Sequence, residues 1–441
     1  MTGKISSIFN TWGAEKTACA LTIASKRFNC FSFLETGRSK SDSNNNKSIG
    51  YDFICAINSD KEIGSKSAQF SEIQDFITKN HGQWIFGHIN YDIKNSIEPS
   101  LSGSLPDPIG FPDFLLFVPK TVVICQGGRI SVWGDETPLL VVIDSDSDEI
   151  LLSHNPKPGF TSVVTFEEYQ HNFEKIKFHL QRGDIYEINY CIPFIAHDAE
   201  LNMPAVRLKQ RNLSPAPFSV LYKSDYHWLS CASPERFIRK SGNKIISQPI
   251  KGTARRSGHS ETDTIAKSDL LNSEKEKAEN IMIVDLVRND LSRIAQKGSV
   301  QVDELFGIYE FAHVFQMIST ISATLKEDIT FTDILKALFP AGSMTGAPKI
   351  SAMKIIEETE SFKRGLFSGT VGYITPNGDF DFNVVIRSIL YNEETKTALI
   401  PAGGALTVKC NALDEYNECI LKAQANLDLL ALTTVAFEKA E

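Results

Sequence analysis

Six apolar runs in the first third of the chain constrain its fold most: Cys19–Ala24, Phe28–Glu35, Tyr51–Ile57, Trp84–Asp92, Phe114–Cys125 and Arg129–Gly134. Each is strand-length, rich in β-branched or aromatic residues, and bounded by turn residues, so residues 1 to about 150 read as strands with short helices. None approaches the ~18 consecutive apolar residues that a membrane span requires. From Phe166 the spacing changes. Tyr169, Phe173, Ile176 and Leu180 recur at the i, i+4, i+7 interval of an amphipathic helix, closed by Gly183, and a strand is expected at Ile185–Tyr190. At 441 residues the chain exceeds what one core usually supports, and two subdomains are expected, at 1–155 and 165–435. The proline- and glycine-bearing segment 154–160 marks the boundary, and the polar stretches Gly37–Gly50 and Asp144–Glu149 read as loops.

Composition sets outer bounds on function. A net charge of −9 with no basic run argues against nucleic acid or an anionic membrane as a partner, while leaving room for a local pocket that takes a small anion. The eight cysteines are scattered without a C-x-x-C pair, as free thiols in a reducing compartment are. With no secretory h-region at the N-terminus, a soluble cytoplasmic protein is expected.

The chemistry gathers around Gln248–Arg255, QPIKGTAR. A short strand is expected at Lys244–Ser247, which puts Lys251 at a strand-to-loop junction, where side chains enter active sites and where surface lysines are also common. Its neighbours Pro249, Ile250 and Gly252 offer little polar solvation, which lowers the proton affinity of its amine, while the carboxylates of Glu235, Glu279 and Glu418 push the other way; only with magnesium offsetting them is the amine expected to titrate below the value of about 10.4 usual for lysine. Farther on, Ser257–Asp269 reads as an exposed polar segment. Ser273 and Glu276 then have capping-box spacing at the head of a helix. Glu276 and Glu279 share a face of that helix, and Glu415, Glu418 and Lys422 share a face of another that Asn411 caps. Each acidic face alone is also what a solvated helix presents; two that converge offer the oxygen ligands of a hard divalent cation. The segments Pro340–Lys349 and Ala402–Ala405 carry glycines able to present backbone amides to a carboxylate, with Ser343 and Thr345 adding hydroxyls. Arg387, a charge in the strand-like run FNVVIRSIL, suits either a bidentate carboxylate contact or an internal ion pair.

In order, GDIYEIN, SPERF, PIKGT, KAENIMIVDLVRNDLSR, FPAGSMTGAPK, GTVGY, DFNVVIRS, AGGAL and EYNECILK resemble the chorismate-utilising enzymes, the family of anthranilate, aminodeoxychorismate, isochorismate and salicylate synthases. The resemblance covers roughly residues 165–435. It implies an α+β, anthranilate synthase component I-like fold of large antiparallel β-sheets flanked by helices. It also implies a Mg2+ ion on Glu279 and Glu418, with Glu276 and Glu415 beside them, holding the ring carboxylate of chorismate. Gly403, Gly404 and Lys422 would support that carboxylate, and Arg387 would take the enolpyruvyl carboxylate. Gly252, Thr253, Ser343 and Thr345 would line the substrate, and Glu235 would be the general acid at the ring hydroxyl.

Two positions choose among branches. Anthranilate synthases typically carry alanine where this chain has Lys251, and isochorismate and salicylate synthases carry a water-activating lysine at the place of Glu187. Lys251 without that second lysine is the pattern of aminodeoxychorismate synthase component I, in which the lysine attacks C2 and ammonia then adds at C4, on the way to para-aminobenzoate and folate. No G-x-C-x-G nucleophile segment of a glutamine amidotransferase occurs within these 441 residues, so the resemblance implies ammonia from a partner amidotransferase subunit. Gln316, Phe367, Ala405 and Glu187 depart from the histidine, tyrosine, glycine and glutamine usual in the family. The anthranilate- and isochorismate-forming readings stay as alternatives, with a non-catalytic scaffold as a third.

Overall fold

Residues 4–36, 50–67, 69–101, 103–144, 159–311 and 313–431 are described in the computed structural model of this chain. The expected loop at Gly37–Gly50, all but the first residue of the patch at Asp144–Glu149, and most of the boundary segment 154–160 lie outside the described residues.

Antiparallel pairing dominates. Strand Cys30–Glu35 lies between two arms of one large curled sheet. One arm runs through Phe53–Ser65, Phe114–Gln126, Ile85–Ile89, Thr370–Ile374, Phe380–Asn383, Arg236–Ser241 and Lys244–Gln248 to Val314–Thr324. The other runs through Phe218–Ser224, His227–Ser233, Ser388–Asn392, Thr397–Leu406 and Glu187–Ala196 to the short Gly346–Ala347. Strands from before and after position 160 therefore share the first arm, and Cys30–Glu35 joins it to a second arm whose strands all come after that position. The two large apolar clusters likewise mix residues from before and after position 160. Phe114–Gln126 stays a single strand despite Pro119, because the facing strand bulges between Ser59 and Lys61 where the missing amide would have paired.

Two expectations are corrected. Cys19–Ala24 forms the last turns of helix Lys4–Ala24, not a strand. Ala18, Leu21, Ile23 and Ala24 are all buried, and a short run buried all round carries no period to tell helix from strand. The polar, exposed segment expected at Ser257–Asp269 is mostly exposed and lies largely in helix Ser260–Asn272, of whose residues only Asp263 and Leu270 are buried, so it shows almost no apolar stripe. The run FNVVIRSIL is two strands, ending at Asn383 and restarting at Ser388, with Arg387 in the break at φ 51°. Helix Phe166–Arg182 forms as its spacing predicts, with a Thr165–Glu168 capping box and a left-handed Gly183. No described helix is long and apolar enough to cross a membrane.

Candidate active site

The two arms of the sheet end close together, and their ends make the site. Lys251 sits in strand Ile250–Arg255, paired to Val314–Thr324 with a register break between Ile250 and Thr253. This corrects the strand-to-loop junction: the interruption is a bulge inside a strand, made possible by Gly252 at φ +88°. From the other arm comes Glu187, the first residue of Glu187–Ala196, with its backbone fixed opposite Ala347. The Lys251 ammonium and Oε1 of Glu187 form an ion pair whose side chains are only 10% and 2% exposed. Oε2 of Glu187 is buried without a hydrogen-bond partner.

Glu235 follows the hairpin strand His227–Ser233, and its amide donates to Ser233 Oγ at 3.2 Å. Ser343 Oγ donates to Glu235 Oε1 at 2.6 Å, joining the glycine-bearing Pro340–Lys349 segment to the acid. Burial pushes the Glu235 carboxyl up to about 7, against the opposing pull of the Ser343 hydrogen bond and the Lys251 charge. It is therefore an acid able to hold a proton near neutrality. A small crevice of about 10 Å³, room for about one water, adjoins it, lined by Ser343, Gly342, Pro249, Val287 and Asp290.

Helices Glu274–Ser292 and Ala412–Ala431 bring the acidic faces to the same place. Ser273 Oγ accepts from the Glu276 amide at 3.3 Å, a single-sided cap and not the reciprocal box, because the Glu276 carboxylate faces Gly252 instead. A Cβ on Gly252 would stand 3.0 Å from Glu276 Oε2, and one on Gly404 would stand 3.1 Å from Glu415 Oε2 and 4.0 Å from Glu418 Oε1. Burial lifts Glu279 to about 7, helped by Glu187 and Glu276 and resisted by Lys251 and Lys275. Burial also raises Glu415, whereas in Glu418 the burial effect is outweighed by Lys422, Lys275 and Lys251, which hold it below the usual carboxylate range. Lys422 Nζ donates to the Gly403 carbonyl at 2.9 Å and pairs with Glu418 at 2.7 Å. Lys275 lies between the two faces, 3.9 Å from Glu279 and within electrostatic reach of Glu415. Among the described residues no three carboxylates are drawn into a ready-made ligand cluster. The donor set is nevertheless all oxygen, and in Glu279 it includes a buried carboxylate whose charge a divalent cation would stabilise.

At Lys251 the carboxylates act as expected, with Glu187 added to them. Burial lowers the affinity of its amine for a proton, but Glu187, Glu279 and Glu235 together outweigh that and raise it above the usual lysine range. The flanking apolar residues are outvoted by carboxylates that no local window contains. Arg387 is mostly buried, which lowers its proton affinity, and its guanidinium has no hydrogen bond or ion pair among the described residues; that leaves it able to clamp an arriving carboxylate.

The remaining candidates are placed as follows. Thr345 is buried and its hydroxyl donates to the Ala341 and Gly342 carbonyls, at 3.4 and 3.1 Å, within its own loop. Thr253 is exposed, opposite the buried Gln316. Glu187 and Lys275 were not among the predicted site residues. Lys275 lies four residues before Glu279, a spacing that could have flagged it, whereas Glu187 and Lys251, 64 positions apart, leave no local signal of their pairing. A second pocket of about 830 Å³, lined by Glu35, Thr36, Asp52, Arg207 and Arg211, lies elsewhere and holds none of the predicted residues.

Known proteins resemble this chain in sequence and in fold. The chorismate binding enzyme family matches residues 31–428. An anthranilate synthase component I-like protein of Synechocystis sp. is 33% identical over 357 residues, covering 79% of this chain and 73% of that protein. Aminodeoxychorismate synthase component 1 of Bacillus subtilis is 31% identical over 366 residues, covering 79% of this chain and 77% of its own length. The crystal structure of anthranilate synthase component I from Streptococcus pneumoniae superposes with a TM-score of 0.76 at 25% identity, covering 88% of this chain and 95% of that one.

Proposed function

This chain belongs to the chorismate binding enzyme family, and from that premise we propose that it acts as an aminodeoxychorismate synthase component I, making 4-amino-4-deoxychorismate from chorismate and ammonia. The observation that carries the reading is Lys251: a buried amine on which Glu187, Glu279 and Glu235 all act, in the bulge that points it at them. Relatives named for either amination carry the same family fold, and the nucleophilic lysine favours the C4 outcome.

The residues divide the work. Arg387 binds one substrate carboxylate, while Gly403, Gly404 and Lys422 place amide, carbonyl and ammonium groups near the other. Glu279 and Glu418, with Glu276 and Glu415 beside them, would hold Mg2+, which when bound supplies positive charge for the ring carboxylate. Two clamped carboxylates fix the ring relative to Lys251, and positioning of that kind contributes directly to rate. Lys251 Nζ forms a bond to C2, the ring double bonds shift, and the C4–O bond breaks as Glu235 delivers its proton to the departing hydroxyl. Ammonia then bonds to C4 and expels the lysine. Its source is a glutamine amidotransferase partner.

The test is product formation with ammonium salts. The chain with chorismate, magnesium and ammonium is expected to release 4-amino-4-deoxychorismate, and to do nothing with glutamine alone. Without ammonia, Lys251 should accumulate a covalent adduct visible by intact-protein mass spectrometry after acid quench. Lys251→Ala should lose both adduct and product; wild-type turnover by that variant would overturn the reading.

A further inference from the structure

We infer that Glu187 is a catalytic base of this reaction, the group that takes the proton from Lys251 as the lysine attacks. This rests on the covalent-lysine reading above. The argument is one of position. Glu187 is the sole hydrogen-bond partner of Lys251 Nζ among the described residues, and both side chains are nearly sealed from solvent. A lysine paired this way is an ammonium with no lone pair to use. Its proton must leave before the bond to C2 forms, and water has little access to collect it.

The other acids facing Lys251 are committed. Glu235 has to arrive protonated, because its proton goes to the leaving hydroxyl, and its Oε1 already accepts from Ser343. Glu279 and Glu418, one from each flanking helix, belong to the proposed cation site. Glu187 alone is in contact with the amine, uncommitted, and left with one carboxylate oxygen that nothing satisfies. Its backbone is pinned in the sheet by Ala347, so the carboxylate is held in position.

The step balances. Lys251 ammonium gives one proton to the Glu187 carboxylate; the freed lone pair bonds to C2; the C4–O bond breaks and the oxygen leaves as water with the Glu235 proton. Lysine is left as a secondary ammonium, Glu187 neutral and Glu235 ionised, so the total charge of the site is unchanged. When ammonia adds at C4 the lysine departs as a neutral amine and recovers its proton. Activation of the nucleophile is thus internal to a buried pair and releases nothing to bulk solvent.

The experiment is the rate of Lys251 adduct formation from chorismate and magnesium, without ammonia, followed by mass spectrometry between about pH 6 and 9 in wild type and Glu187→Gln. Glu235, Glu418 and Lys275 titrate in both proteins, and because Glu187 raises Glu279 only in the wild type, both rates are measured at saturating magnesium, which would keep Glu279 ionised in each, so that their ratio isolates residue 187. With glutamine there, Lys251 must lose its proton to solvent, and the variant-to-wild-type ratio should climb about tenfold per pH unit until the lysine is deprotonated, the slope of one ionisation. A ratio independent of pH would overturn the inference. If Glu187→Gln fails to fold, as judged by its melting curve, Glu187→Asp carries the test: a slower adduct with a wild-type pH profile supports the base, and an alkaline-rising profile defeats it. No adduct in wild type at any pH, by contrast, removes the covalent-lysine reading itself.

Discussion

Replacing Glu235 with glutamine should stabilise the protein while it abolishes activity, and the size of the effect follows from burial. Glu235 is 4% exposed and its carboxyl titrates at about 7 in place of the ordinary 4.5. The folded chain thus binds this proton more tightly than the unfolded chain, and between those two values holds more of it. Stability contributed by the protonated form is fully present below the ordinary carboxyl range and is lost as pH rises toward 7. By linkage the loss amounts to about 3 kcal/mol at about pH 8 and less than about 1 kcal/mol at about pH 5. Glutamine keeps an acceptor for the Ser343 hydroxyl and cannot ionise, so it escapes the cost without leaving a cavity. Urea unfolding of wild type and Glu235→Gln at the two pH values should show the variant more stable at the higher one, with the gap closing at the lower. A variant no more stable than wild type at pH 8, or a gap independent of pH, would refute the claim that Glu235 is held protonated by desolvation.

Three further outcomes test the remaining parts of the site. Glu279→Gln or Glu418→Gln should lose most activity and the heat of magnesium binding in calorimetry; full activity of either in metal-free buffer would sink the cation assignment. Gly252→Ala puts a side chain at φ +88° against Glu276 and Leu270, and should cost about 1–2 kcal/mol of stability together with most of the turnover; a variant indistinguishable from wild type in both would show that the bulge is not needed to aim Lys251. Arg387→Gln removes a guanidinium with no internal partner, so KM for chorismate should rise about ten- to a hundredfold, the equivalent of a lost charged hydrogen bond, with melting temperature unchanged. A destabilised variant with normal KM would make Arg387 a structural residue.

What could be read from the residues divides by range. Helix Phe166–Arg182 was legible because everything that makes it lies within about five turns: the Thr165 cap, the apolar stripe and Gly183. The i, i+3 pairs Glu276/Glu279 and Glu415/Glu418 were legible for the same reason. That the two faces meet was not, because one helix lies between strands Ile250–Arg255 and Val314–Thr324 in sequence and the other follows Thr397–Leu406, well over a hundred positions later; only the curl of the sheet brings them to Gly252 and Gly404. Short buried segments were the weak point locally. Cys19–Ala24 is apolar on every side, and a six-residue run without alternation fits strand and helix alike until its partners are known.

At Lys251 the long-range groups decide the sign. Pro249, Ile250 and Gly252 do remove solvent from it, and taken alone that lowers its proton affinity, as the sequence suggests. Electrostatics in a dry site then reverses the sign, since charges that water would have screened act on the amine at nearly full strength. Glu187 arrives from the opposite arm of the sheet, Glu279 from a helix and Glu235 from a hairpin, and each raises the affinity that burial lowered. A buried lysine surrounded by carboxylates is a poor nucleophile at rest and becomes one only when their charge is drawn off. In the proposed reaction a bound cation would draw off Glu279 and Glu418, protonation would silence Glu235, and transfer of the lysine's own proton would silence Glu187. On this account nucleophilicity is switched on by substrate and cation arriving together, which keeps the amine inert in the empty enzyme.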